Sequence, residues 1–165
     1  RRLGGCFIYL SIPHSRTEAC MKTVDEILKS KALHQTVYTI GPTESVLAAL
    51  KLLAEKNIGA LPVVEDERVV GIVSERDYAR KLMLKGRSSP FTTVAEIMTA
   101  AVITVEPKTK LDECMQLMTD RHLRHLPVVS EGKLLGLLSI GDLVKETISE
   151  QANLISQLQQ YIRGE

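Results

Sequence analysis

The sequence predicts an α+β fold made of two tandem repeats, each with the element order β-α-β-β-α. The first observation is that residues 39–78 align with residues 104–143 without a gap, and ten of these forty pairs are identical. The second is that the identities fall on core and turn positions, such as the Leu-Pro-Val-Val runs at 61–64 and 126–129. Because self-similarity at one fixed offset is the signature of a repeated structural unit, the chain is predicted to be a tandem duplication.

Each repeat begins with a short apolar strand and an amphipathic helix. The strands are predicted at 37–40 and 102–105, and each stops before a proline, Pro42 or Pro107. The helices are indicated by apolar residues that recur at spacings of three and four. The predicted apolar faces are Val46, Leu50, Leu53 and Ala54 in the first repeat and Leu111, Cys114, Met115 and Met118 in the second. Cys114 is therefore predicted to be a buried core thiol.

A hairpin and a closing helix complete each repeat. A strand beginning near Leu61 or Leu126 carries proline one residue later, which is tolerated at a strand start or a sheet edge. Turn residues follow, and then a second apolar strand at 69–73 or 134–138. Ser74 or Ser139 begins the closing helix, so the predicted order occurs twice.

The repeats divide the chain into four segments. We expect residues 22–85 to form the first repeat and residues 86–150 the second, with a Gly-, Ser- and Pro-containing loop between them. Residues 1–21 are interpreted as an N-terminal extension, which is an expression tag, upstream sequence or the end of an organellar transit peptide. Residues 151–165 are predicted to extend the last helix. The isoleucines at 148, 155 and 162 indicate either packing back against the core or a dimer helix.

Composition and missing motifs exclude several classes of protein. A formal net charge of +1 gives no electrostatic basis for binding nucleic acid, and no apolar run reaches the roughly 18–20 residues of a membrane span. The three cysteines have no metal-like spacing and suit a reducing compartment, so we expect no metal and a cytoplasmic location, with an organellar matrix as the alternative. The sequence contains no GxxxxGK[ST], GxGxxG or GxSxG motif, and we expect a protein that is not an enzyme.

These repeats resemble a pair of cystathionine-β-synthase-type (CBS) domains, the tandem called a Bateman module, in a protein of the stand-alone, single-module type. The resemblance covers about residues 22–150 and rests on the Leu-Pro-Val-Val strand, the Gly-apolar-apolar-Ser-x-x-Asp ending and the Ile-Met-Thr at 97–99. It implies two small sheets packed together with pseudo-two-fold symmetry, leaving two clefts. It also implies a homodimer whose clefts bind AMP, ADP, ATP, NAD(H) or S-adenosylmethionine, and which regulates an unidentified protein. The alternative is a structural or interaction module with degenerate clefts.

The resemblance assigns residues to each cleft. The first cleft is expected to contain Val37, Tyr38, Ile58, Gly59, Ala60, Ser139 and Asp142. The second is expected to contain Ser74, Arg76, Asp77, Thr99, Val102, Ile103, Leu123, Arg124 and His125. Since arginine matches phosphate by a bidentate fork, we expect the second cleft to prefer a phosphorylated ligand such as AMP.

Asp77 and Asp142 have two candidate roles. A carboxylate can accept hydrogen bonds from both hydroxyls of a ribose, as the acidic residue of other nucleotide-binding folds does. The spacing Ser-x-x-Asp at a helix start also predicts a capping box, in which the serine and the acid satisfy each other's backbone N–H groups. The sequence leaves both roles open, and they can coexist in one side chain.

Overall fold

The computed structural model describes residues 22–32 and 36–164, so the predicted extension at residues 1–21 lies outside the described residues. The elements are α1 (Val24–Ala32), α2 (Val46–Lys56), β1 (Ala60–Glu65), β2 (Arg68–Ser74), α3 (Glu75–Asp77), α4 (Val94–Ile97), α5 (Leu111–Asp120), β3 (His125–Ser130), β4 (Lys133–Ser139) and α6 (Ile140–Arg163). Helix α3 continues through a π-helical turn at Tyr78–Leu82 and a 3-10 turn at Met83–Lys85. The helix, hairpin and closing helix predicted for both repeats are confirmed.

Two antiparallel hairpins form one four-stranded sheet with the strand order β1-β2-β4-β3. Each hairpin pairs over six residue positions, and each ladder has the same irregularity, after Val63 in the first and after Val128 in the second. In the described part of the chain the two hairpins join at one pair, Arg68 with Lys133. The mixed fold with two repeats is therefore confirmed, and the two small sheets meet edge to edge.

The first strand of each repeat is much shorter than predicted. Ile40 forms a single parallel bridge to Val63, and Val105 forms the equivalent bridge to Val128. Each bridging residue donates its N–H to the carbonyl of the proline before its partner, at 3.1 Å in the first repeat and 3.0 Å in the second. Pro42 and Pro107 follow two residues later and have no N–H to donate to a neighbouring strand. The pairing is therefore limited to a single bridge in each repeat.

The two short helices that precede the repeats are exchanged between the cores. Helix α1 buries Val24 and Ile27 in the core of the second repeat. Helix α4 buries Val94 and Ile97 in the core of the first. Helix α1 therefore precedes the first repeat but completes the core of the second. Helix α4 precedes the second repeat but completes the core of the first.

Two glycines make this exchange sterically possible. A Cβ atom added to Gly71 would overlap the side chain of Met98, just after α4. A Cβ atom added to Gly136 would overlap the side chain of Leu28 in α1. The repeated glycine is thus a position where a helix side chain lies directly on the strand.

The predicted core residues are mostly buried, and α6 is divided in two. Cys114 is fully buried in the core of the second repeat, as predicted, and burial raises the pKa of its thiol to about 11. In α6 the buried residue is Leu143, whereas every residue from 151 to 164 is exposed. The interpretation that this extension packs back against its own core is therefore wrong. The alternative, that it is a helix through which two copies pair, stays a prediction. No helix in the described residues has the length and apolarity needed to cross a membrane.

Candidate functional site

A cavity of about 360 Å³ lies between the first repeat and the second hairpin. Its volume falls in the range of small-molecule sites, which run from about 300 to 1,000 Å³. All seven residues assigned to the first cleft line it: Val37, Tyr38, Ile58, Gly59, Ala60, Ser139 and Asp142. Residues of α1, β4 and α6 also line it, namely Leu28, Lys31, Leu135, Leu137 and Lys145, and the remaining lining residues are Thr36, Asn57 and His125.

The turn after α2 presents the first repeat's part of this wall. Asn57 ends the helix in the left-handed conformation, with φ of 51°, and its N–H donates to the carbonyl of Ala54. Asparagine tolerates this conformation better than most residues. The chain then turns sharply through Ile58 and Gly59 into β1, which places a residue without a side chain beside the cavity.

The Asp142 carboxylate has three donors on one oxygen. Oδ2 accepts hydrogen bonds from the Ser139 N–H at 2.7 Å, the Ser139 hydroxyl at 2.9 Å and the Lys31 ammonium at 2.7 Å. The Asp142 N–H donates to Ser139 Oγ at 3.2 Å, so the predicted capping box is present. Among the described residues none donates to Oδ1, which leaves that oxygen as an acceptor at the cavity.

Asp142 is ionised at neutral pH. Burial raises the pKa of this carboxyl group, but the hydrogen bonds from Lys31 and Ser139 together outweigh burial and hold the pKa below its usual value. The capping role and the proposed acceptor role therefore use different oxygens of one charged group.

Two lysines at this cavity were missed by the sequence analysis. Lys31 donates to the carbonyl of Leu137 at 2.9 Å in addition to Asp142, and Lys145 lines the same space. Lys145 lies three residues after Asp142 on α6, and that helical spacing could have identified it. Lys31 lies on α1, outside the aligned repeats, where the sequence offered no signal.

His125 requires a correction. The resemblance placed it in the second cleft, whereas its imidazole lines the first cavity. The physical reason is strand pairing: His125 lies opposite Ser139 in the β3–β4 ladder, so the two side chains share the face of the sheet that borders the cavity. The ring packs beside Gly59, where a Cβ atom would lie 3.6 Å from Cε1 and Nε2, an ordinary van der Waals contact. Burial lowers the pKa of His125, and the positive charges of Lys31 and Arg124 lower it further, so the ring is neutral at pH 7.

The second cleft brings together Ser74, Asp77 and Thr99 in a closed network. Asp77 Oδ2 accepts from the N–H and hydroxyl of Ser74 at 3.0 and 2.8 Å, which forms the predicted capping box. Oδ1 accepts from Lys81 at 2.8 Å and from the Thr99 hydroxyl at 3.1 Å. Both oxygens of this carboxylate already have partners.

The other residues assigned to the second cleft are more scattered. Ile103 and Leu123 pack against the second core, and Val102 is partly buried. Arg76 is exposed and contacts the carbonyl of His122 at 3.4 Å. Arg124 is exposed, and within the described residues no hydrogen bond or ion pair joins its side chain to Asp77. The same residues hold no group of three or more His, Cys, Asp and Glu side chains suited to a metal ion.

Comparison with known proteins gives consistent matches. The family model described as "CBS domain" matches residues 24–84 and 94–149. A mitochondrial CBS domain-containing protein of Arabidopsis thaliana, CBSX3, is 40% identical over 149 residues, which cover 86% of this chain and 72% of that protein. A protein with CBS domains from Burkholderia ambifaria is 56% identical, with a TM-score of 0.75 over 79% of this chain and 96% of that one. The structure of CBSX2 in complex with AMP is 28% identical, with a TM-score of 0.63 over 77% and 97%.

Proposed function

This chain belongs to the CBS domain family, and we propose that it is a non-catalytic regulatory module that binds an adenosine nucleotide in its first cleft. The observation that carries the proposal is the cavity of about 360 Å³, which all seven expected residues line and where one oxygen of the Asp142 carboxylate accepts no hydrogen bond from the described residues. AMP is the first choice because the similar protein CBSX2 was solved with AMP. ADP, ATP, NAD(H) and S-adenosylmethionine share the adenosine group and are the other candidates.

Asp142 is proposed to hold the ribose. Its Oδ1 can accept a ribose hydroxyl while Oδ2 keeps the bonds that fix the side chain in place. Because Ser139 and Lys31 already orient the carboxylate, little conformational freedom is lost on binding. A hydrogen bond to a charged group contributes roughly 1.5–3 kcal/mol, so its loss is expected to weaken binding about tenfold to a hundredfold.

The phosphate of the ligand is proposed to lie near Lys31, Lys145 and His125. Asp142 is the one carboxylate among the residues that line the cavity, and Lys31 already balances its charge. This leaves Lys145 as a positive charge and the neutral imidazole of His125 as a hydrogen-bonding group to meet an anion. The phosphate preference expected for the second cleft is therefore proposed for the first.

The second cleft is proposed as a weaker site. A ribose there must share Asp77 Oδ1 with Lys81 and Thr99 or displace one of them. Each displaced donor would lose a hydrogen bond made in the free protein, so part of the binding energy is offset.

Three broader properties also remain proposals. We propose that two copies form a homodimer and that nucleotide binding changes the activity of an unidentified partner protein. The mitochondrial location in the name of the Arabidopsis relative favours an organellar matrix over the cytoplasm. The alternative function is an interaction module whose clefts remain empty.

A ligand screen by thermal shift, followed by calorimetry, tests the proposed function. A ligand at a hundredfold excess over its Kd adds about 2.7 kcal/mol of stability, which raises the melting midpoint of a chain of this length by roughly 5–11 °C. We expect Asp142→Asn to reduce the AMP-induced shift strongly and the matched variant Asp77→Asn to leave it nearly unchanged. If none of the five compounds shifts the midpoint at millimolar concentration, the interaction-module alternative is favoured.

A further inference from the structure

The C-terminal helix extends well beyond the folded core. Helix α6 has 24 residues and is therefore about 36 Å long. Its first part packs on the second repeat through Leu143, and its last part, from residue 151 onward, has no described residue that covers it. An isolated helical segment of this length is marginal in water, because most helical stability in proteins comes from packing of an apolar face.

Eight large apolar side chains form a continuous surface along this helix, which we call the α6 stripe. The stripe consists of Ile140, Val144, Ile148, Leu154, Ile155, Leu158, Tyr161 and Ile162. The exposed fraction of these residues ranges from 42% to 86%. At 3.6 residues per turn, all eight lie within an arc of about 140°, which is the width of a core-facing helix surface.

The charges around the stripe decide what can cover it. From Gln151 to Ile162 the helix contains no charged residue, and its other face carries Asn, Gln, Ser and Ala. A helix that lies on a membrane surface normally carries Lys and Arg on its polar face, which this segment lacks. A neutral surface meets an identical surface without electrostatic repulsion, so a second copy is the occupant that it suits.

The size of the stripe is also sufficient for pairing. Burying even half of the exposed surface of these side chains on both copies would reach the roughly 1,000 Å² that marks a specific interface. Val144, Ile148, Ile155, Leu158 and Ile162 follow a heptad pattern, and Gln151 takes the one inner position that is polar. A single polar residue in such a seam fixes the register of two helices and lowers their stability.

We propose that the α6 stripe pairs with the α6 stripe of a second copy. The pairing is isologous, because each copy contributes the same surface, and it closes a dimer rather than starting a filament. This inference names the surface for the proposed homodimer and does not depend on nucleotide binding.

Sedimentation velocity at micromolar protein on three variants tests the inference. We expect the wild-type protein to have twice the 18.3 kDa mass of one chain. The double variant Ile155→Lys/Ile162→Lys places charges in the stripe and is expected to be a monomer, with the dimer Kd raised at least a hundredfold. The matched control Asn153→Lys/Gln160→Lys adds the same charges on the opposite face and is expected to remain a dimer. Gln151→Leu is expected to lower the dimer Kd at least tenfold.

Several outcomes would overturn the inference. A monomeric wild-type protein would do so, as would a dimer that survives both lysine substitutions in the stripe. Dissociation of the control to the same extent as the stripe variant would show that charge alone disrupts assembly. A Gln151→Leu variant with unchanged or weaker pairing would place that residue outside the interface. AMP binding measured on the same samples separates a failure of this inference from a failure of the proposed function.

Discussion

Asp77 and Asp142 occupy equivalent positions in the two repeats, but the donors around their carboxylates differ. Both carboxylates form a capping box with the serine three residues before them. Asp77 then uses its second oxygen for Lys81, which lies four residues later on the same helical segment. Asp142 instead bonds a lysine on α1 through the oxygen that already caps the helix, and its second oxygen has no partner among the described residues.

A difference in charge one helical turn after each aspartate accounts for much of this difference. The residue equivalent to Lys81, at the offset of sixty-five positions, is Glu146. Glu146 pairs with Lys22 before α1 rather than with Asp142. The comparison teaches that duplication preserved the backbone chemistry of the helix start. We expect the side chain one turn later, together with Thr99 in the second cleft, to decide whether the second carboxylate oxygen is open to a ligand.

The largest effect is expected from making the first cleft resemble the second. Glu146→Lys places an ammonium group one turn after Asp142, where it can reach Oδ1, as Lys81 reaches Asp77. A competing charge-assisted hydrogen bond is worth roughly 1.5–3 kcal/mol, so we expect AMP affinity to fall about tenfold or more. Calorimetry with AMP measures the change. The control Glu146→Gln also loses the ion pair to Lys22 but adds no cation, and it should bind AMP nearly as the wild type does.

A smaller effect is expected from removing the lysine of α1. Lys31→Met deletes a cation near the proposed phosphate position and removes one of the three donors to Asp142 Oδ2, while the two from Ser139 remain. We expect AMP affinity to fall about threefold to tenfold and adenosine affinity to fall less, since adenosine has no phosphate. The ratio of the two Kd values measures the effect. Equal weakening of both ligands would assign Lys31 to the ribose end, and Lys81→Met is the matched control.

The smallest effect concerns pH. The pKa of His125 is lowered in the folded state, so the unfolded chain binds a proton more readily than the folded protein. Stability is therefore fully present above the unfolded pKa of about 6.5 and is lost as the pH falls below it. Urea unfolding at pH 7.5 and pH 5.5 should show a smaller loss for His125→Gln than for the wild type. An equal loss in both proteins would mean that the ring is not desolvated beside Gly59.

The sequence predicted the features that occur in both repeats. It did not predict contacts made by residues outside the aligned repeats or contacts between the two repeats. The hairpins, the two capping boxes and the seven residues of the first cavity follow from local patterns or from positions shared with related proteins. Lys31 could not be predicted, because its contact with Asp142 joins residues 111 positions apart. The ring of His125 packs against Gly59, which belongs to the other repeat. Contacts between repeats carry no local periodic signal.

The exchange of α1 and α4 also determines the order in which the chain can fold during its synthesis. The first core can close once residue 97 has been made, because α4 is then present. Helix α1 leaves the ribosome earlier, but its buried contacts extend to Leu143. Synthesis proceeds at about 5–20 residues per second, so the apolar face of α1 stays exposed on the order of ten seconds before the rest of the second core has been made. The nascent chain thus has an exposed apolar helix, α1, in front of a first core that has already formed. We expect chaperones to bind the chain at that helix.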